Sequence, residues 1–167
     1  MRKMEGVKAR LKPPALEGPA KARVTLIGWG STWSVIQEAA AQLSRDGIAT
    51  NQLHFKWLHP FHAEEALEIL KGCERTIVVE NNFSGQFARH LRAETGYSVE
   101  HVLTPYDGEP FEPAYIVRRV RAFVEGRPPD LRVEESEARE IVRLGVLSAV
   151  AAPRRRPPPG RQAPIPR

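Results

Sequence analysis

One repeated pattern constrains the fold of this chain more than any other feature. Between residues 23 and 126 a short apolar run is followed by a segment of helical period, and each such segment is closed by a glycine. Val24-Thr25-Leu26-Ile27 is nearly all apolar and enters a glycine turn, as a strand buried on both faces does. After Trp33, the residues Ile36, Ala39, Ala40 and Leu43 fall on one helical face, and Gly47 follows. A second strand is predicted over 52–57. The next helix starts near Ala63, with Ala63, Ala66, Leu67 and Leu70 inward and Gly72 behind it. Thr76-Ile77-Val78-Val79 predicts a third strand, and Ser84 is placed to cap a third helix that packs Phe87, Ala88 and Leu91 before Gly96. Residues 99–103 predict a fourth strand. Pro113 opens a last helix with Ile116, Val117, Val120, Phe123 and Val124 inward and Gly126 after it.

Strands alternating with helices in this order imply right-handed βαβ units. The expected class is α/β: three layers, a mostly parallel sheet of four to five strands, and helices on both faces. Each closing glycine is expected to adopt the left-handed conformation that ends a helix.

The flanks lack this pattern. Residues 1–22 hold Pro13, Pro14, Gly18 and Pro19 among alternating charges and read as an interdomain-type linker. Residues 127–152 read as an extension with one short helix over 134–143, acidic in its first turn. Residues 153–167 hold six prolines and five arginines and are expected to be disordered.

That tail explains the charge. The whole chain of 167 residues has a formal net charge of +5, with 25 basic and 20 acidic residues. Five of the basic residues lie in the last fifteen positions, so residues 1–152 carry 20 of each sign. A nucleic-acid reading would therefore rest on the tail alone and is not favoured. No apolar run approaches the ~18 residues of a membrane span. The charged start has no apolar segment of the kind secretory signals carry, so a cytoplasmic setting is expected. The single cysteine, Cys73, permits neither an internal disulfide nor a multi-cysteine zinc or iron–sulfur site.

Two loops carry polar groups where an α/β sheet meets its ligands, at the carboxyl ends of strands. The first is Gly28-Trp29-Gly30-Ser31-Thr32-Trp33. It has the outline of a dinucleotide loop, but Trp33 occupies the position where close helix–strand packing needs a small residue, and strand two ends without a ribose-binding acid. Its free amides, with Ser31 and Thr32, suit a neighbouring chain or a small anion. The second is Glu80-Asn81-Asn82-Phe83-Ser84-Gly85-Gln86, with one acid, three amide side chains and a hydroxyl. Amides are poor acids and bases, so this loop points to recognition over catalysis, with local capping as the plain alternative.

Other constellations are weaker. His54, His59 and His62 straddle a strand end and a proline turn without a nearby carboxylate or cysteine, and are read as structural or solvent-facing instead of zinc-binding. Cys73 has no local histidine partner to activate it. Arg118, Arg119 and Arg121 fit the solvated side of the last helix. No catalytic residue and no metal ligand is nominated.

The strings V-T-L-I-G-W-G-S-T and T-I-V-V-E-N-N-F-S-G-Q-F-A-R-H-L-R closely resemble one family. They are similar to the core domain II of the alpha subunit of 2-oxoacid:ferredoxin oxidoreductases, of the 2-oxoglutarate or pyruvate type, itself a transketolase C-terminal-like domain. The resemblance covers about residues 1–126, including an opening that resembles the family's interdomain linker, so a fragment or split subunit is expected. It implies a scaffolding domain within a complex that decarboxylates a 2-oxoacid oxidatively to an acyl-CoA and reduces ferredoxin. Thiamine diphosphate, magnesium and an iron–sulfur cluster are implied in the full complex, with none bound by this chain alone. The implied partners are the beta subunit and the remaining alpha-subunit domains, with ferredoxin and CoA met through the complex. Interface candidates are Gly30, Ser31, Thr32, Glu80, Asn81, Asn82, Gly85 and Gln86. A free-standing nucleotide- or CoA-binding module using the same sheet edge is the alternative.

Overall fold

A computed structural model describes residues 6–105 and 110–127. Two compact units divide the chain, Met1–Pro128 and Pro129–Arg167, and all described residues fall in the first. The helix expected over 134–143 and the tail at 153–167 lie outside the described residues.

The first unit is built from β1 (Leu16–Glu17), β2 (Val24–Trp29), α1 (Trp33–Arg45), β3 (Thr50–Phe55), α2 (Ala63–Lys71), β4 (Thr76–Val79), α3 (Gln86–Thr95), β5 (His101–Leu103) and α4 (Pro113–Val124). The sheet runs β1-β3-β2-β4-β5. β2 pairs in parallel with both β3 and β4, and β4 pairs in parallel with β5. β2 is therefore the central strand, and the chain reverses its direction of travel across the sheet between β2 and β4.

Alternation along the strands feeds two cores. Val24 and Leu26 of β2, with Ile77, Val79 and Leu103, meet α1 through Ile36, Ala39 and Leu43 and α4 through Ile116, Val117 and Val120. Ile27, Leu53, Phe55 and Val78 point the other way, toward Ala66 and Leu70 of α2 and Phe87 and Leu91 of α3. Burying one such Leu, Ile or Phe side chain contributes about 1.5–3 kcal/mol before entropic costs. Because both sheet faces are covered, even the polar members of β3, Asn51, Gln52 and His54, are buried.

Two details depart from the sequence reading. Leu16–Glu17, inside the segment read as linker, forms an antiparallel edge strand with Leu53 and Gln52. Two further contacts hold that segment down: Asn51 Nδ2 donates to Pro19 O at 3.0 Å, and the Trp33 indole donates to Glu17 Oε2 at 3.0 Å. Gly72 ends α2 at φ −86° without the left-handed turn, whereas Gly47, Gly96 and Gly126 adopt it. Arg121 keeps to the solvated side of α4, as read, and there pairs with Asp46 at the end of α1.

Candidate functional site

The carboxyl edge at the β2/β4 switch point is where open α/β sheets present ligand and partner surfaces. Beside it lies an aromatic cluster from β2, β3, α3 and the β3–α2 connection. The Phe55 ring lies 5.2 Å from Phe61 and 5.3 Å from Phe87, and Trp29 lies 6.2 Å from Phe87.

The β2 loop is folded onto itself. The Trp29 N–H donates to Thr32 Oγ1 at 3.1 Å, and the Thr32 hydroxyl donates back to Trp29 O at 2.9 Å. Thr32 is buried by this arrangement, while Gly30 and Ser31 remain exposed. A Cβ on Gly28 would fall 2.3 Å from Ile36 Cδ1 and 2.6 Å from Thr32 Oγ1. Gly28 thus supplies the close helix–strand approach, which leaves Trp33 free to start α1 half-exposed. Gly30, at φ +59°, makes the left-handed turn.

The β4 loop is organised by one buried acid. Glu80 is 0% exposed, and its Oε2 accepts the Ala88 N–H at 3.0 Å. Its Oε1 is buried with no hydrogen-bond partner. Burial pushes the Glu80 carboxyl up from the usual carboxylate range, while the amides of Ala88, Phe87 and Gln86 and the charge of Arg89 pull it back. Glu80 is therefore the cap of α3, reached from the end of a strand across eight residues. Ser84 makes no capping bond; the residue before the helix is Gly85, at φ +63°.

The structure thus sorts the eight interface candidates. Thr32 and Glu80 face inward and hold the loops. Gly30, Ser31, Asn81 and Gln86 are exposed, and Asn82 and Gly85 are half-buried. Three exposed aromatic side chains that the sequence reading gave no role follow strand ends. Trp33, Trp57 and Phe83 are 37%, 47% and 72% exposed, and each lies in or just beyond the connection leaving β2, β3 or β4. The signal available in sequence was Phe83 alone among polar residues at 80–86.

The titratable and thiol groups near these loops are already engaged or buried. Glu80 is committed to helix amides, and the Cys73 thiol is spent on Ile69 O at 3.3 Å. His62 Nδ1 lies 3.1 Å from Glu65 Oε1, His54 is buried with its pKa lowered chiefly by desolvation, and His59 is exposed. Among the described residues no group of three or more His, Cys, Asp or Glu could hold a metal ion. With one cysteine in the sequence, the donor set does not fit an iron–sulfur cluster. No described helix is long and apolar enough to cross a membrane.

A mostly parallel sheet covered on both faces, with polar loops at its switch point, defines an open-sheet α/β domain. The family model for the transketolase C-terminal domain matches residues 16–116, and the chain belongs to that family. Within it, the chain is similar to alpha subunits of 2-oxoacid:ferredoxin oxidoreductases. It is 35% identical over 108 residues to the alpha subunit of 2-oxoacid:ferredoxin oxidoreductase 2 from Aeropyrum pernix, covering 63% of this chain and 17% of that protein. It is 33% identical over 130 residues to the 2-oxoglutarate oxidoreductase subunit KorA of Mycobacterium tuberculosis, covering 78% and 19%. Among solved structures, the 2-oxoglutarate:ferredoxin oxidoreductase of Magnetococcus marinus, with 2-oxoglutarate, coenzyme A and succinyl-CoA bound, superposes at a TM-score of 0.66 with 33% identity. That match covers 72% of this chain and 21% of the other. The chain therefore spans about a fifth of the length of these relatives.

Proposed function

We propose that this domain is a scaffolding domain of a 2-oxoacid:ferredoxin oxidoreductase alpha subunit. In it, the carboxyl edge of the sheet packs against the remaining alpha-subunit domains and the beta subunit. The reaction served is oxidative decarboxylation of a 2-oxoacid, 2-oxoglutarate being favoured, to its acyl-CoA with reduction of ferredoxin. The observation that carries this reading is the union of exposed Trp33, Trp57 and Phe83 with the amide-bearing residues Asn81, Asn82 and Gln86 on one edge. Exposed aromatic side chains together with amide groups are the composition of a protein interface. Thiamine diphosphate, magnesium and the iron–sulfur cluster belong to the other parts of the assembly on this reading, which places the setting in the cytoplasm.

The test is reconstitution. The chain is mixed with the remaining alpha-subunit domains and the beta subunit from the same source, then run on size-exclusion chromatography. Co-elution is expected, with 2-oxoglutarate- and CoA-dependent reduction of a viologen dye by the complex and none by the chain alone. Turnover by the chain alone, or elution apart from the other subunits, overturns the reading. Saturable binding of CoA or a nucleotide to the isolated chain, measured by calorimetry, would favour the free-standing binding module instead.

A further inference from the structure

A groove beside β3 is distinct from the β2/β4 loops and shares with the proposed interface edge only Trp57 and the underlying Phe55 ring. It measures about 170 Å³ and is lined by Lys12, Pro13, Pro14, Ala15 and Glu17 on one side. His54, Phe55, Lys56, Trp57 and His62 line the other. The N-terminal segment is thus one wall of the cavity, which exists because β1 docks on β3. At ~30 Å³ per water, the volume suits about six waters or one small organic anion.

The polar groups of the groove are unevenly satisfied. His54 and His62 are 7% and 6% exposed, and Nδ1 of His54 and Nε2 of His62 are buried with no hydrogen-bond partner. A desolvated imidazole nitrogen without a partner is unfavourable, and a ligand supplying one relieves that cost. The charges facing these rings are Lys12 and Lys56 at the rim, Glu17 on β1, and Glu65, whose carboxylate accepts from His62. Glu17 Oε2 accepts the Trp33 indole N–H and the carboxylate keeps its charge, which acts on His54 more strongly than that of Lys56, so an anion here is held by the two ammonium groups against Glu17. Phe55, Trp57, Pro13 and Pro14 supply apolar walls.

We propose that this groove binds a small oxyanion, a carboxylate or phosphate on a short apolar body, held between Lys12 and Lys56 with His54 at its base. Proton uptake accompanies binding, because an anion beside His54 opposes the desolvation that lowers the pKa of that imidazole.

The test is an NMR titration of the isotope-labelled full chain with inorganic phosphate and with malonate, against sodium chloride at matched ionic strength. Saturable shifts of the Trp57 indole and the His54 and His62 imidazole resonances are expected with at least one oxyanion and not with chloride. Saturation by phosphate alone, or by malonate alone, identifies which oxyanion the site takes. Lys12→Ala and Lys56→Ala should each weaken that binding roughly tenfold, the loss of one charge-assisted contact. His54→Phe should abolish its strengthening as pH falls, with melting temperature confirming that each variant folds. Equal shifts with chloride, no shift at His54 or His62, or affinity unchanged by both lysine substitutions overturns the proposal.

Discussion

The two loops at the centre of the sheet edge solve one problem in opposite ways. Both must turn a buried strand into a helix without stranding backbone donors. The β2 loop uses a hydroxyl three residues away, with Thr32 accepting from and donating to Trp29. The β4 loop uses a carboxylate eight residues away, with Glu80 reaching under the loop to Ala88. The first solution is short and seals its own polar groups. The second leaves residues 81–86 as a largely exposed polar surface with Phe83 at its most accessible point. An interface can be built on the second loop because its anchor lies beneath it.

The largest expected way to break this contrast is at Gly28. Gly28→Ala forces a methyl into Ile36 Cδ1 and Thr32 Oγ1, and overpacking of this kind costs about 1–3 kcal/mol in chemical denaturation. Thr32→Val comes next. It removes the acceptor of the Trp29 N–H and should cost about 1–2 kcal/mol, with Thr32→Ser recovering most of it.

Glu80→Gln is smaller and depends on pH. The folded pKa of Glu80 is raised above 4.5, so the folded state holds its proton longer than the unfolded chain. Wild-type stability contributed by this group is present below 4.5 and is lost as pH rises through the folded pKa, at up to about 1.4 kcal/mol per pH unit. The glutamine variant retains an acceptor for Ala88 and lacks that slope, so it should gain on the wild type with rising pH across that window. Equal pH profiles of the two proteins would count against it. Phe83→Ser has the smallest expected effect on folding, within about 0.5 kcal/mol. It should nevertheless weaken co-elution with the other subunits, separating the outer loop's role from its anchor's.

This contrast also marks how far the sequence could be read. The runs at 24–27 and 76–79 announce buried parallel strands, and the spacing of Ile36, Ala39, Ala40 and Leu43 announces α1, because periodicity reports local burial. β1 was invisible because two residues carry no period. β3 runs Thr50–Phe55, ahead of the 52–57 expected, because tertiary cover buries Thr50 and Asn51 against their polarity. At the edge, the loops and their amide content were legible. The capping role of Glu80 was not, since no local spacing rule joins a strand end to a helix amide eight positions later. Ser84 had the ordinary chemistry of a cap but not the place for it.

The two-residue strand at Leu16–Glu17 has a consequence out of proportion to its size. β3 offers six residues of backbone, and on the side away from β2 its neighbour is β1. An open strand edge of that length is a template on which another chain can add itself. Leu16 and Glu17 occupy the middle of it, opposite Leu53 and Gln52, so the protein's own leading segment stands guard against self-templating. Trimming the chain to begin at Arg23 would keep the buried members of both cores, losing only Leu16 from the margin of one, yet unguard that edge, and light scattering should then rise with protein concentration faster than for the full chain.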